Sequence, residues 1–582
     1  MRSYPPLAQC RTIAFTALLA ISLAGPTFSF AQSSSSKTSS SQFSIGSSLE
    51  AIADPPVPRP NTKHCEVTLL TNQAFDDFNN KDFNFTPPAN CPGPWSKVIL
   101  TADFSIQPGV QFDRSGQIFL GGVNIFFGTT AEPLQTQTNT WHVERDLTDY
   151  TSLFKTPQTG FAFLGNIVGT DGLNSIIFGT FKLEFYQSDF ANPVPVTADE
   201  VLPVQDNGSS SFQITSTNPE VTQSFTLPQN TEAAYLDLVA QSQNVEEQWF
   251  LCVPNNIAGP LDGCQNTAFR EVEVSVDGKP AGIAPVYPWI YTGGLDPGLW
   301  VPIPGVQTLN LVPYRVDLTP FAGTLDDGQP HTVGVSVFNA FNFFSVTAQL
   351  LVYEDHGSKH LSGAVTQDTL TAPNPTVTNT VNLNAQGLGS GTVTVTNAHN
   401  FTIEGYVNTS HGRVDTKIEQ QAQFSNVQQI TNSATEFAQS AVQTSTLHSD
   451  TITREGPLFT TKETTFSYPI NVSLVQTVQS NGNIAATTSV DQKFQRDETD
   501  TLEGFPVFES HTSNEVTPTD TALFVASPTG FSLGQNSNQS SKQTFVYQDS
   551  LNHCFSRTLT VASNVLTNVE DQKACQQHGF HW

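Results

Sequence analysis

Apolar and polar residues alternate along many short segments of this chain, and this alternation limits the folds open to it. It runs through residues 97–104, 270–276, 332–338 and 392–396, where Thr, Val and Phe are frequent. A period of two is that of a half-buried antiparallel strand. Clusters of Pro, Asn and Gly follow at roughly 8–12-residue intervals, which is the spacing of β-sandwiches. Helical patterns are scarce, so the sequence predicts an all-β protein.

The length of 582 residues is too great for one hydrophobic core. Composition predicts a first β-sandwich over residues 60–200 and a second over residues 201–356. Residues 361–582 are rich in Thr, Ser and Gln and contain no tryptophan before Trp582. They are predicted to form a C-terminal β-rich accessory domain. The predicted architecture is therefore two antiparallel, jelly-roll-like β-sandwiches side by side, followed by this domain.

The N-terminus carries the pattern of a secretory signal peptide over residues 1–31. Arg2 and Arg11 precede an apolar run at residues 12–25, and small residues lead to a cleavage site near Ala31. Residues 32–59 are predicted to be a Ser/Pro-rich linker. No later stretch reaches the 18 apolar residues that suggest a membrane helix. The sequence thus predicts a secreted or periplasmic protein without a membrane partner.

The cysteine pattern fits an oxidising compartment. Seven cysteines are present, and Cys10 leaves with the signal peptide. The remaining six form three pairs of near neighbours, and local pairing is the simplest connectivity. The predicted disulfides are Cys65–Cys91, Cys252–Cys264 and Cys554–Cys575. No CxxC, HxH or HExxH spacing occurs, so no metal and no other cofactor is predicted.

The charge balance is acidic, with 24 basic against 52 acidic residues and a net charge of −28. Nucleic acids and anionic membranes are recognised through clustered Lys and Arg, so this balance argues against both as partners. An acidic surface suits a protein that works at low pH, where protonation relieves the repulsion between carboxylates. Adaptation of an extracellular protein for solubility explains the same composition equally well.

The densest group of candidate site residues lies in residues 111–150. Asp113 and Arg114 lead directly into the strand-like segment 117–127, at a sheet edge where a rigid scaffold can hold a substrate-facing pair. Neighbouring side chains on a strand point to opposite faces, so the two converge only if the chain bends there. The alternative is that Asp113 caps a turn and Arg114 forms a surface ion pair.

Three segments carry a resemblance to a known family. The first is QFDRSGQIFLGGVNIFFGTTAEP with the following WHVERDLTDY, the second is AFREVEVSVDGKPAGIAPVYPWIYTGGLDPGLWVPI, and the third is YRVDLTPFAG. Together they resemble the acidic peptide:N-glycanase A family over about residues 60–356. The resemblance implies an amidase that releases N-glycans from glycopeptides as glycosylamines and converts Asn to Asp. It also implies that Asp113 is a catalytic carboxylate, with Arg114 beside it at the substrate.

A second carboxylate is expected from the segment VEEQWF, which resembles the family's Asp-Glu-Phe-Trp segment. Glu247 is the preferred acid and Glu246 the second choice. Glu271 is a further candidate, and Arg270 before it is a candidate for substrate binding. A solvated acidic loop held by the Cys252–Cys264 bridge is the alternative interpretation of the segment.

Substrate binding requires flat apolar surfaces for sugar rings and amides for their hydroxyl groups. Asn166 stands where the related PNGase F enzymes have an acid, and an amide there can bind substrate but cannot take a proton from water. The glycine pair at residues 293–294 allows close backbone approach. Four tryptophans in the matched region are candidate platforms, although a buried core position is the commoner fate of each. They are Trp141, Trp249, Trp289 and Trp300.

The amidase hypothesis has two competitors, a non-catalytic carbohydrate-binding or adhesive protein and an endoglycosidase that cuts between sugars. Geometry separates the first: a binding protein leaves Asp113 paired only with Arg114 on an open surface. An enzyme brings Asp113 together with a glutamate of the second sandwich. The sequence therefore predicts an active site at the junction of the two sandwiches that works at acidic pH without metal.

Overall fold

The first sandwich consists of two four-stranded antiparallel sheets in the computed structural model of the protein, which describes residues 43–170, 172–204, 211–527, 530–534, 536–572 and 575. Its strands are β1 (His64–Phe75), β2 (Lys81–Phe85), β3 (Trp95–Ile106), β4 (Ser115–Leu120), β5 (Val123–Thr129), β6 (Asn139–Asp146), β7 (Gln158–Leu164) and β8 (Ile177–Gln187). One sheet has the order β1-β8-β3-β6 and the other β2-β7-β4-β5. All residues of β5 are buried, because this edge strand of its sheet is covered by the second sandwich.

The second sandwich repeats this plan with a five-stranded and a four-stranded sheet. Its strands are β9 (Glu200–Pro203), β10 (Phe212–Ile214), β11 (Glu220–Phe225), β12 (Thr231–Gln243), β13 (Glu271–Val276), β14 (Lys279–Pro285), β15 (Tyr314–Asp317), β16 (His331–Val337) and β17 (Phe343–Glu354). One sheet runs β10-β17-β12-β15, with β9 on β17, and the other runs β11-β16-β13-β14. Two short helices, α1 (Asn255–Leu261) and α2 (Ala322–Leu325), lie in its loops.

The C-terminal part is one antiparallel sheet of fifteen strands. They are β18 (Gly363–Asp368), β19 (Thr376–Asn379), β20 (Asn382–Leu383), β21 (Gly389–Thr409), β22 (Gly412–Asn432), β23 (Glu436–Glu455), β24 (Leu458–Ser467), β25 (Ile470–Val478), β26 (Ile484–Leu502), β27 (Phe505–Val516), β28 (Thr519–Ser527), β29 (Gly530–Leu533), β30 (Ser537–Asp549), β31 (Cys554–Ala562) and β32 (Val565–Asp571). The predicted all-β fold with two sandwiches and a β-rich C-terminal region is confirmed.

The hydrophobic cores do not follow the three-part division of the sequence. The first sandwich has its own core. The second sandwich and the C-terminal sheet share another, in which Trp249 and Phe269 of the sandwich pack with Phe424 of β22. Separating these two parts would therefore expose a large apolar surface to water.

The predicted linker is incorrect for residues 43–59, which are packed as a strap across the molecule. Ala51 and Ala53 are buried in the shared core. The Ala53 N–H donates to Gln543 of β30 at 2.9 Å, and Arg59 forms ion pairs with Glu144 and Glu184 of the first sandwich. Small side chains allow this close approach. The predicted signal peptide lies outside the described residues.

Two of the three predicted disulfides are formed, Cys252–Cys264 and Cys554–Cys575. The third prediction, a Cys65–Cys91 disulfide, is wrong, because both residues are free thiols in the structure. Desolvation and a hydrogen bond between the two raise the pKa of the Cys65 thiol to about 12, which keeps it protonated and unreactive at neutral pH.

No helix among the described residues combines the length and apolar character needed to cross a membrane.

Candidate active site

Asp113 lies in the loop that leads into β4, where the backbone has not yet entered the sheet. Its carboxyl group accepts a hydrogen bond from the Gly293 N–H of the second sandwich, and its own N–H donates to Glu132 Oε1 at 3.1 Å. Arg114 Nη2 donates to Gln111 Oε1 at 2.7 Å. The structure therefore does not show the surface ion pair that was the structural alternative for Asp113 and Arg114.

Glu132, in the loop between β5 and β6, adds a carboxyl group that sequence reasoning did not select. A Cβ atom placed on Gly293 would lie 2.8 Å from Glu132 Oε1 and 3.1 Å from Asp113 Oδ1. Asn139 supports the loop, since its Nδ2 donates to the Glu132 carbonyl oxygen at 3.1 Å. Glu132 follows the fully buried strand β5, and Asp113 precedes β4, which is buried except at Ser115. A carboxylate at the end of such an apolar run was the sequence signal that could have found Glu132.

Glu247 approaches the same point from the loop that follows β12. A Cβ atom on Gly294 would lie 3.0 Å from Glu247 Oε1, and Gln248 Nε2 donates to that oxygen at 2.6 Å. Trp300 Nε1 donates to the Gly294 carbonyl oxygen at 2.9 Å and so holds the glycine pair in place. Carboxyl groups of both sandwiches thus meet around residues 293–294, where any side chain would fill the space between them.

The three carboxyl groups differ in the charges and hydrogen bonds that shift their pKa values. Desolvation and the nearby Asp113 charge raise the pKa of Glu132 to about 8 and that of Glu247 to about 7. Desolvation also raises the pKa of Asp113, but the Gly293 N–H and the charge of Arg114 oppose it. The charge of Asp113 thus acts on both glutamates, which stay protonated below neutrality.

Comparison with known proteins identifies the family of this chain. A family model described as peptide N-acetyl-β-D-glucosaminyl asparaginase amidase A matches residues 32–370. The peptide-N4-(N-acetyl-β-glucosaminyl)asparagine amidase A of Prunus dulcis is 30% identical over 392 residues, covering 64% of this chain and 67% of the relative. The chain belongs to the peptide N-glycanase A family. The suspected resemblance is therefore confirmed.

Solved structures outside this family show more distant likenesses. PNGase F, a glycosylasparaginase from Flavobacterium meningosepticum, is 13% identical with a TM-score of 0.35, covering 50% of this chain and 96% of that one. PNGF-II is 15% identical with a TM-score of 0.33, covering 51% and 66%. Likenesses at this level assign no residue and no activity to this family member.

Glu246, the second choice as catalytic acid, is a structural residue of this peptide N-glycanase A-family chain. It is fully buried. Its Oε1 accepts hydrogen bonds from Arg270 Nε and Nη2 at 3.1 and 2.9 Å, and its Oε2 accepts from the backbone N–H groups of Phe341 and Asn342. All its acceptor positions are engaged, so neither Glu246 nor the predicted substrate-binding Arg270 is available to a ligand.

Glu271 is also incorrect as a catalytic candidate. It is buried at the contact with the C-terminal sheet, where it pairs with His399 of β21 at 3.2 Å. It lies on β13, whereas the carboxyl groups around Gly293 all come from loops. Its position on a strand packed under the C-terminal sheet excludes it from the candidate site.

The candidate substrate-binding side chains of Trp249, Trp300 and Asn166 are all buried. Trp249 and Trp300 have 1% of their surface exposed and Asn166 has none. Asn166 instead secures its loop by donating to the Phe75 and Ser175 carbonyl oxygens. A large flat indole releases most free energy when buried, and the sandwiches use these side chains in that way.

Trp141 and Trp289 are buried as well, but they line a cavity of about 1430 Å³ between the sandwiches and the C-terminal sheet. Asp113, Glu132 and Glu247 are not among the residues that line this cavity. Both tryptophans are therefore incorrect as platforms beside the carboxyl groups.

The aromatic side chain that is exposed beside Asp113 is Phe112, with 62% of its surface accessible. Phe78 is similarly exposed at 58% and packs against Gly165 of the neighbouring loop. Phe112 directly precedes Asp113 in the chain, so its exposed ring is placed to contact a substrate at the carboxyl cluster. It was not selected from the sequence because only tryptophans were considered as platforms.

One group among the described residues has the composition of a metal site. Ligand atoms of His448, Asp450 and Glu463 lie within 4.8 Å of one another on β23 and β24. This trio belongs to the surface of the C-terminal sheet and includes none of the carboxyl groups around Gly293.

Proposed function

We propose that this chain hydrolyses the side-chain amide bond of N-glycosylated asparagine, with Asp113 as general base and Glu247 as general acid. The amidase class follows from its family. The observation that carries the assignment of roles is the meeting of Asp113 and Glu247, from different sandwiches, around Gly293–Gly294. N-glycopeptides are the proposed substrates, with Phe112 offering an apolar face to sugar or peptide.

In this mechanism, ionised Asp113 accepts a proton from water as the water oxygen attacks the amide carbonyl carbon. Arg114 supports the developing oxyanion, because its buried Nε has no hydrogen-bond partner among the described residues. Protonated Glu247 then gives its proton to the amide nitrogen as the carbon–nitrogen bond breaks. The products are an aspartate in the peptide and a glycosylamine, and the two carboxyl groups exchange protons with solvent to restore the starting state.

Acidic operation follows from the two roles. The base must be ionised and the acid protonated, so activity is expected between the pKa of Asp113 and the pKa of Glu247, about 7. The rate should therefore follow a bell-shaped profile with its alkaline limb near neutrality. Addition of a chelator is expected to leave the rate unchanged, since no step in this mechanism uses a metal.

We further propose that the protein is exported. Two disulfides, Cys252–Cys264 and Cys554–Cys575, fit an oxidising compartment. N-terminal sequencing of protein from the culture medium and periplasm tests this proposal, with a start near Gln32 expected.

The deciding experiment uses a glycopeptide in heavy-oxygen water. The amidase reaction places one heavy oxygen in the new aspartate for each glycan released, which mass spectrometry of the peptide detects. A peptide that keeps one N-acetylglucosamine would identify an endoglycosidase, and unchanged glycopeptide that remains bound would identify a binding protein. Asp113→Asn, which keeps the shape but removes the basic oxygen, is expected to abolish the reaction in a folded protein.

A further inference from the structure

Three amide side chains of the C-terminal sheet donate to three consecutive backbone carbonyls in the loop that carries Glu247. The bonds are Asn426 Nδ2 to Phe250 O at 2.9 Å, Gln439 Nε2 to Leu251 O at 3.0 Å, and Gln428 Nε2 to Cys252 O at 3.0 Å. These carbonyls belong to a tight 3₁₀ turn and its end. Carbonyls at such turn ends lack partners within the turn and must be satisfied from outside.

The amides also bond to one another, so they act as one unit. Gln428 Nε2 donates to Asn426 Oδ1 at 3.1 Å, and Gln439 Nε2 donates to Gln428 Oε1 at 2.8 Å. Asn426 Nδ2 also donates to Gln443 Oε1 at 3.0 Å. We call Asn426, Gln428, Gln439 and Gln443 the amide network.

The amide network occupies positions that packing alone would fill with apolar residues. Asn426 and Gln428 are fully buried on the face of β22 that also presents Phe424 and Ile430 to the core. Burying an amide is costly unless its polar atoms find partners, and such networks fix one arrangement of the groups they join. Here the joined groups are the carbonyls a few residues beyond Glu247.

The same sheet also supports the second loop of the site. Gln492 of β26 is fully buried. Its Nε2 donates to the Pro288 carbonyl oxygen at 2.7 Å, and its Oε1 accepts from the Val306 N–H at 2.9 Å. Residues 288 and 306 flank the segment that contains Gly293 and Gly294, so both loops contributed by the second sandwich are held from outside it.

We propose that the C-terminal sheet is a working part of the active site, in which the amide network positions the Glu247 loop for catalysis. Asn426, Gln428 and Gln439 are positioning residues, since they reach Glu247 only through the backbone of residues 250–252. The family model ends at residue 370, so nothing in the family match assigns a role to these side chains. The inference rests on the proposed function for the role of Glu247.

The test replaces the donors with apolar side chains of similar size, as Asn426→Leu and Gln428→Met in the full-length chain. We expect kcat to fall by about ten- to a hundredfold with KM nearly unchanged, because small displacements of a catalytic group are costly. The alkaline limb of the pH profile should move to lower pH as the loosened loop exposes Glu247. Hydrogen exchange of the peptide over residues 244–253 should accelerate in the same variants.

Gln543→Met provides the matched control, because Gln543 is an equally buried amide of this sheet that holds Ala53 instead. It should lower the melting temperature while leaving kcat and the pH profile as in the wild type. If the variants at the fully buried positions fail to fold, Gln439→Met, at a half-buried position, is the variant used for the test.

Folded network variants with wild-type kcat and pH profile would overturn the proposal. An equal loss of kcat in Gln543→Met would also overturn it, since the effect would then be general destabilisation. A wild-type protein that releases no glycan refutes the proposed function instead, and hydrogen exchange at residues 244–253 still shows whether the amide network holds the loop.

Discussion

Two adjacent glutamates have opposite environments in this molecule. Glu246 points into the core, where Arg270 and two backbone N–H groups neutralise and bind it. Glu247 points to the carboxyl groups around Gly293 and Gly294, where its pKa rises because it is desolvated and near the charge of Asp113. The two glutamates are the end and the C-cap of the 3₁₀ helix Asn244–Glu246. Neighbouring side chains of such a helix point in different directions, so one residue stabilises the loop and the next lies at the site.

Substitution of each glutamate by glutamine should separate these roles. Glu247→Gln is expected to lower kcat by about 10²- to 10⁴-fold, the usual loss for a general acid, without loss of stability. Glu246→Gln leaves Arg270 as an uncompensated buried charge, which should lower the free energy of unfolding by about 3–5 kcal/mol. Urea denaturation and steady-state kinetics of both variants check this, and the reverse pattern would exchange the two assignments.

The raised pKa of Glu132 predicts that the stability of the protein depends on pH. Its pKa is about 8 in the folded protein against an ordinary value of 4.5, so the native state binds more protons between these limits and stability falls as pH rises through them. Glu132→Gln removes this loss and keeps an acceptor for the Asp113 N–H. The variant should match the wild type at pH 4 and exceed it by about 2 kcal/mol at pH 8, allowing for partial exposure.

Denaturation curves at both pH values measure this difference. Glu436→Gln, at an exposed position on β23, is the control and should show the same difference from wild type at both pH values. Equal effects of Glu132→Gln at pH 4 and pH 8 would show that Glu132 ionises normally.

At the scale of elements, the loop with Gly293 and Gly294 is the meeting point of the two sandwiches. Gly293 provides both the N–H group for Asp113 and the empty space beside Glu132. Gly293→Ala should therefore displace one of the two carboxyl groups by a few tenths of an ångström or more. We expect a loss of about 10²-fold in kcat from such a displacement.

The control for this substitution is Gly259→Ala in α1, where an added Cβ atom meets no neighbour within 4 Å. Circular dichroism and thermal melting should show both variants folded. Full activity of Gly293→Ala would mean that the space between Asp113 and Glu132 plays no part in the reaction.

At the scale of the whole molecule, the C-terminal sheet and the strap of residues 43–59 both pack against the sandwiches and hold them in place. The strap joins Gln543 of the sheet to Glu144 of the first sandwich. Because the second sandwich shares its core with the sheet, the predicted accessory domain also supports the structure of that sandwich. The sheet is required for the second sandwich to bury its apolar surface.

A fragment of residues 42–360 tests this dependence. It should be insoluble, or melt well below the full-length protein, because Trp249 and Phe269 lose the cover of Phe424. Thermal melting and glycopeptide hydrolysis of the fragment and the full chain provide the comparison. A fragment that folds with full activity would show that the C-terminal sheet is dispensable.

The sequence by itself determined the fold class, the family and two members of the site. Strand alternation has a period of two whatever the partner strand, so the all-β fold could be predicted locally. Asp113 stood in a family motif, and Glu247 followed from a second motif. The free thiols of Cys65 and Cys91 were not predictable in this way, because the sequence gives the spacing of two cysteines but not the geometry between them.

Tertiary structure alone decided that Glu132 joins the site and that Asn426 and Gln428 support it from β22. Glu132 and Glu247 lie more than a hundred positions apart, Asn426 and Gln428 lie 176 positions from the carbonyl groups they bind, and each contact depends on how sheets pack. A polar residue in an alternating strand reads as solvent-exposed from sequence, yet these two amides face the core. Only the packing of the sheet against the Glu247 loop gives them their partners, because hydrogen bonds between distant segments carry no local sequence signal.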